Sequence, residues 1–139
     1  MAAFSYPIIH YSRHVPWGGA TGDADIIMFG PDYTSGTFQL AIAAAAGSAA
    51  LISLTKQAAG TQGVSATFED PFTHPITSEV GSAMIIRPQV DEASFEALVW
   101  GSDPTAPLEL YYDLLMTPTG LPQRAVCFGT FTLYPGVSD

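Results

Sequence analysis

The three histidines, His10, His14 and His74, are the residues best suited to proton transfer or metal binding. None is spaced as in HExxH or paired with a cysteine. His10 and His14 would share a face only in a helix, and Pro7 with its β-branched neighbours favours an extended segment instead. The sequence therefore predicts no metal site and places these histidines at the surface or in an interface. An unrecognised hydrolase that uses one of them is an open alternative.

The single cysteine, Cys127, excludes an intrachain disulfide and a cysteine-based metal cluster. It lies within an apolar run, which predicts a small buried side chain rather than a nucleophile. The serines occur in no GxSxG motif. We therefore predict no catalytic residues and no cofactor.

Asp23, Asp25 and Asp32 form the densest acidic group and flank predicted turns. Carboxylates in turns can bind Ca²⁺, but this spacing fits no EF-hand loop. Solvated turn carboxylates are the favoured interpretation.

Aromatic side chains can form a contact surface for a sugar or for another protein. Trp17 and Trp100 each lie beside a glycine at the end of a segment. They could be platforms for sugars, anchors against a partner or ordinary loop packing. We include both among the candidate interface residues.

The overall charge limits the possible partners. The chain has 139 residues with Lys+Arg 4 and Asp+Glu 13, so its formal net charge is -9. This is the wrong sign for neutralising phosphates, so direct nucleic-acid binding is not expected. The N-terminus lacks a basic segment followed by an apolar one, and no apolar run reaches 18 residues, so neither a signal peptide nor a membrane span is predicted.

Charged residues are 12% of the chain, about half of the usual fraction of about 25%, while 47% is hydrophobic. A surface so poor in ions is typical of a protein that neighbouring subunits partly cover. An uncharged surface rich in Ser and Thr is the alternative.

Short β-prone runs separated by glycine and proline must position these residues. They predict an all-β fold, an antiparallel β-sandwich of about seven to eight strands with one short helical turn and an extended N-terminal arm. A small barrel is the alternative. The predicted strands are residues 25–29, 37–43, 49–55, 63–68, 82–87, 108–116 and 124–134, and the helical turn is residues 91–98 with Asp91 as N-cap.

Alternation predicts which faces are buried. Residues 37–43 place Phe38, Leu40 and Ile42 on one face, and residues 108–116 place alternate apolar residues from Leu108 on one face. In the last strand the apolar parity changes after Gly129, which predicts a β-bulge there and places Val126, Phe128, Phe131 and Leu133 on the core side.

The N-terminal segment predicts a contact surface. We assign residues 1–22 to an extended arm and residues 23–139 to the β-sandwich domain. An edge strand is the alternative for the first segment, because Pro7 cannot donate to a central ladder. Such an arm can lie along a neighbouring subunit by strand addition. The candidate interface residues are Phe4, Tyr6, Ile8, Ile9, Tyr11, Trp17 and Trp100.

Four segments carry a family resemblance. They read GPDYTSGTFQL at 30–40, VDEASFEAL at 90–98, LELYYDLLMTP at 108–118 and FGTFTLYPGV at 128–137. In this order the chain resembles small β-sandwich structural domains of tailed-bacteriophage and prophage virion proteins, such as the attachment domains of baseplates and fibres.

The resemblance implies a virion location, with other virion proteins and copies of the same chain as partners and no small-molecule substrate. Longer members continue into a fibre or receptor-binding region. Because this chain stops at Asp139, we expect an adaptor, a fibre-attachment or tail-associated protein, or a capsid-decorating protein. A carbohydrate-binding β-sandwich that uses Trp17, Trp100 or Tyr111 is the alternative.

Overall fold

The computed structural model describes residues 4–19, 24–100 and 103–136. The fold is all-β, with two sheets and one short helix, and it is a sandwich, as the sequence predicts. The described strands are β1 (Phe4–Ser5), β2 (Ile8–His10), β3 (Trp17–Gly18), β4 (Ile26–Phe29), β5 (Thr37–Ala43), β6 (Ala50–Thr55), β7 (Gly63–Thr73), β8 (Val80–Val90), β9 (Leu108–Thr117) and β10 (Arg124–Leu133), and the helix is α1 (Glu92–Glu96).

The larger sheet has six strands in the order β1-β10-β9-β5-β6, with β2 also paired to β10. Strands β5, β6, β9 and β10 pair antiparallel, whereas β1 and β2 pair parallel to β10. The smaller sheet places β8 between β7 on one side and β3 and β4 on the other, and these pairs are antiparallel. The hairpins predicted for β5–β6 and β9–β10 are therefore confirmed.

The core lies between the two sheets. Phe38, Leu40 and Ile42 of β5 are buried, as are Leu110, Tyr112, Leu114 and Met116 of β9, which confirms both predicted alternations. The smaller sheet contributes Ile26, Met28, Met84 and Ile86. Phe95 anchors α1 on this core. Asp91 is the N-cap residue of α1, as predicted, and has extended backbone. Its side chain, however, makes no capping hydrogen bond.

The predicted bulge at Gly129 is wrong. Ala125 pairs with Leu115 and Cys127 with Leu114, so Val126 is the extra residue. Because the bulge precedes Phe128, this side chain points away from the core and is 45% exposed, whereas Phe131 is fully buried. Gly129 has another role, since a Cβ atom there would lie 2.9 Å from the Tyr6 carbonyl oxygen. It lets the chain between β1 and β2 pass close to β10.

The N-terminal segment does not project as an arm. Residues 4–10 pair with β10, and Trp17 and Gly18 pair with β8, so the segment contacts both sheets of its own chain. Pro7 is accommodated because it lies between two short edge strands. The predicted boundary between residues 22 and 23 lies outside the described residues.

The β7–β8 hairpin is longer than predicted. Its strands reach Thr73 and Val80, where the sequence predicts a loop over residues 69–81. Pro71 interrupted the sequence pattern, but the register shifts between Glu69 and Phe72 and pairing resumes beyond it. The end of this hairpin carries exposed apolar side chains, with Ile76 86% and Val80 64% exposed.

Candidate interaction surface

Two of the predicted interface residues are buried in the core, so the prediction is wrong for them. Ile8 is 7% and Trp17 5% exposed. The Trp17 ring meets Phe131 edge to face at 5.1 Å between centroids. Both side chains stabilise the fold and cannot contact a partner while it is intact.

Trp100 is half-buried and held from two sides. Its indole Nε1 donates to the Ala106 carbonyl at 2.8 Å, and the Arg13 guanidinium lies 4.9 Å from the ring centroid. Because the cation occupies one ring face, Trp100 is poorly placed as a stacking platform for a sugar. The interpretation as loop packing fits this geometry.

The other four candidates are exposed. Phe4 and Tyr6 meet edge to face at 6.2 Å, and Tyr11 stacks on Tyr134 at 5.7 Å. Ile9 alternates with the buried Ile8 and points outward at 51% exposure. The exposed aromatic residues of the N-terminal segment therefore form two separate ring pairs.

The outer face of the larger sheet, which is the face turned away from the smaller sheet, carries a groove that sequence reasoning missed. We call it the alanine groove. Its volume is about 670 Å³. Small residues of the β5–β6 hairpin form one side, including Ala45, Ala46 and Gly47, and Tyr111 and Phe128 contribute aromatic side chains. Tyr111 is 43% and Phe128 45% exposed.

Register places a single carboxylate inside this groove. Asp113 of β9 lies between Ala41 of β5 and Phe128 of β10, and Tyr111 precedes it on the same face. Asp113 is the one charged residue among those that line the groove. No ion pair joins it to any residue that the structure describes.

All four Lys and Arg side chains are engaged away from the alanine groove. Arg13 lies over Trp100 and Arg124 over Tyr33, at 4.9 and 5.4 Å from the ring centroids. The Lys56 ammonium donates to the carbonyls of Thr34 and Gly36 at 2.6 and 2.8 Å.

Arg87 is the fourth of these cations and forms a bidentate pair with Asp25. Its Nε and Nη2 each lie 2.7 Å from a carboxylate oxygen. This hydrogen bonding raises the pKa of Arg87, and the guanidinium stays charged.

A second groove of about 620 Å³ lies on the outer face of the smaller sheet. Phe4 and Tyr6 border it on one side, and Phe72 and His74 of the β7–β8 hairpin on another. The Asp25–Arg87 pair lies within its lining. Its charged groups are therefore already paired in part, in contrast to Asp113.

The histidines are engaged separately and are not brought together. His10 is buried, and its Nε2 donates to the Val15 carbonyl at 2.6 Å. His14 Nδ1 lies 2.8 Å from the Glu96 carboxylate. His74 Nδ1 accepts from the backbone N–H groups of Ile76 and Thr77. The predicted surface or interface position is wrong for His10.

Cys127 is a free, fully buried thiol, as predicted for a small core residue. Burial raises the pKa of the Cys127 thiol, so it stays protonated. Burial likewise raises the pKa of Tyr112 well above its usual value. The Tyr112 hydroxyl donates to the Tyr6 carbonyl and so holds the N-terminal segment against the sheet.

The turn carboxylates bind their own loops. The Thr34 hydroxyl and backbone N–H both donate to Asp32, which lowers the pKa of this carboxyl group. Asp103 makes the same pair of bonds with Thr105. Asp23 lies outside the described residues. Within the described ranges, no group of three or more His, Cys, Asp or Glu side chains is arranged to hold a metal ion.

No protein-family model matches the sequence. No curated protein matches it either. Among the described residues, no helix has the length and apolar character needed to cross a membrane.

Proposed function

We propose that this chain is a structural protein of a tailed-bacteriophage virion, acting by protein–protein packing as a tail-associated adaptor, a fibre-attachment protein or a capsid-decorating protein. Its partners are other virion proteins and copies of itself. Neither nucleic acid nor a small-molecule substrate takes part in this role.

The positions of the resembling segments support the proposal. Three of them coincide with β5, β9 and β10 or overlap these strands. These strands are neighbours at the centre of the larger sheet, although β5 is far from the β9–β10 hairpin in the sequence. The resemblance therefore belongs to one continuous piece of the fold.

The observation that carries the proposal is the outer face of these same strands. It presents two half-exposed aromatic side chains, Tyr111 and Phe128, beside a hairpin of small exposed residues over positions 44–50. Aromatic residues are enriched in protein interfaces. Only 12% of the residues are charged, so few charged side chains are available to keep such a face hydrated.

The test is particle incorporation. The gene is deleted from the phage or prophage that encodes it and complemented with wild type, with Tyr111→Ser/Phe128→Ser, or with the control Ile76→Ser/Val80→Ser on the β7–β8 hairpin. We expect wild type and control to co-sediment with density-purified particles. The outer-face variant should remain in the soluble fractions although it folds, since both substituted side chains are about half exposed.

Absence of the wild-type chain from purified particles would exclude the proposal. Incorporation of the outer-face variant at the wild-type level would exclude this face as the contact. Circular dichroism and thermal melting of the purified variants check that each one is folded.

Carbohydrate binding is a second candidate function because of Tyr111. Of the three proposed platforms, Trp17 is buried and one face of Trp100 is covered by Arg13, but Tyr111 is 43% exposed beside a groove. Binding on a glycan array that is lost in Tyr111→Ala would favour this function over virion packing. We expect no such binding.

A further inference from the structure

The alanine groove combines a shape and a charge that specify its partner. Its volume of about 670 Å³ is large enough for several side chains of another protein. The lining is mainly Ala, Gly and aromatic residues, with the Asp113 carboxylate as its one charged group. An apolar surface that closed over this groove would therefore have to desolvate a carboxylate.

Burying an unpaired carboxylate costs desolvation free energy, and a cation supplied by the partner offsets that cost. Among the residues that the structure describes, no Lys or Arg side chain is available for that role. Arg13, Lys56, Arg87 and Arg124 are each engaged elsewhere, and none lines the groove. The missing charge must come from the occupant.

The same charges argue against a second copy of this chain as the occupant. Glu109 lies on the outer face of the same strand, four residues before Asp113. A two-fold contact between these faces would place the Asp113 and Glu109 carboxylates of both copies in one interface, to which neither groove contributes a Lys or Arg side chain. A different protein with a basic side chain is the complementary partner.

We propose that the alanine groove binds a Lys or Arg side chain of a different protein, flanked by small or apolar residues, with the basic group paired to Asp113. Tyr111 and Phe128 pack along the aliphatic part of that side chain. This inference rests on the proposed function in that it names the class of partner for the same face.

The test uses peptides selected from a random dodecapeptide library on the immobilised full chain, after removal of those that bind Tyr111→Ser/Phe128→Ser. Affinities are measured by calorimetry for each selected peptide and for its neutral analogue, with citrulline in place of Arg or norleucine in place of Lys. Asp113→Asn and Glu109→Gln are compared, because both remove one negative charge from the same face and only Asp113 lines the groove.

We expect the selected peptides to contain a basic residue. Asp113→Asn should weaken binding by about ten-fold or more, and the neutral analogue by a similar factor. The two changes together should cost little more than either alone, because each removes the same pair. Glu109→Gln should change the affinity by less than about three-fold, since exposed charges outside the contact contribute little.

The inference is overturned if no peptide is selected, if the selected peptides lack a basic residue, or if Asp113→Asn and Glu109→Gln behave alike. Failure here with wild-type chain still present in particles leaves the proposed function intact. Basic peptides that depend on Asp113, found for a chain absent from particles, would support the groove and remove the virion role.

Discussion

Phe131 and Phe128 lie on opposite faces of β10 and provide a paired test of the fold. Phe131 is fully buried and its ring contacts Trp17 at 5.1 Å and Phe95 at 6.0 Å between centroids. Truncation of such a residue to alanine typically costs about 3–5 kcal/mol, which includes the cavity that remains. Both aromatic contacts are lost with the ring, and we expect a cost near the middle of that range, about 4 kcal/mol.

Phe128→Ala should cost much less. The side chain is 45% exposed. Full burial of a phenylalanine contributes about 1.5–3 kcal/mol, so burial of roughly half of it contributes about 1 kcal/mol. Both substitutions remove the same atoms from the same strand, so the expected difference of about 3 kcal/mol comes from which face each residue occupies.

The assay is urea unfolding followed by tryptophan fluorescence and circular dichroism, with the free energy of unfolding from linear extrapolation. If Phe131→Ala is too unstable to give a folded baseline, Phe131→Leu should cost roughly 1–2 kcal/mol because it retains an apolar side chain. Equal costs at positions 128 and 131, or a larger cost at 128, would refute the register and place the bulge at Gly129.

Three further changes test the N-terminal segment and the core thiol. Gly129→Ala should destabilise the fold by roughly 1 kcal/mol or more, because the added Cβ would lie 2.9 Å from the Tyr6 carbonyl oxygen. Amide hydrogen exchange in residues 4–10 should then be faster than in wild type, and unchanged exchange would contradict this prediction. Tyr112→Phe should cost about 0.5–1.5 kcal/mol in urea unfolding, because the Tyr6 carbonyl loses its donor; an unchanged midpoint would argue against this bond. Cys127 should react with a thiol reagent only as fast as the chain unfolds, because the side chain is fully buried and the pKa of its thiol is raised. Rapid labelling of the native chain would instead show an accessible thiol.

The sequence predicted the parts of the fold in which one face is apolar and the other polar. Residues 37–43 and 108–116 alternate cleanly, and both strands are present with the predicted residues buried. The helical turn around Phe95 was predicted for the same reason, since an acidic first turn precedes its apolar residues.

The errors occurred where position depends on a distant strand. Ile8 and Trp17 resemble other exposed aromatic and aliphatic residues in a proline-broken segment, and only pairing with β10 and β8 makes them core residues. In β10, Val126 and Cys127 are successive buried residues, and the sequence alone does not distinguish a bulge there from one at Gly129.

The alanine groove was missed for a related reason. Alternation in residues 108–116 already placed Tyr111 and Asp113 on the face opposite the core. Their alignment with Ala41 and Phe128, however, is a matter of register across three strands. The run of small residues over positions 43–50 was a signal, but it indicated a hairpin rather than one side of a groove.

Imaging of the assembled particle by electron cryomicroscopy would show whether this chain is a virion protein and what covers its larger sheet. We predict this fold at fixed, symmetry-related positions, with the outer face of the larger sheet covered by another protein and a basic side chain within hydrogen-bonding distance of Asp113. A particle that lacks the fold, or one in which Tyr111, Asp113 and Phe128 face solvent in every copy, would contradict it.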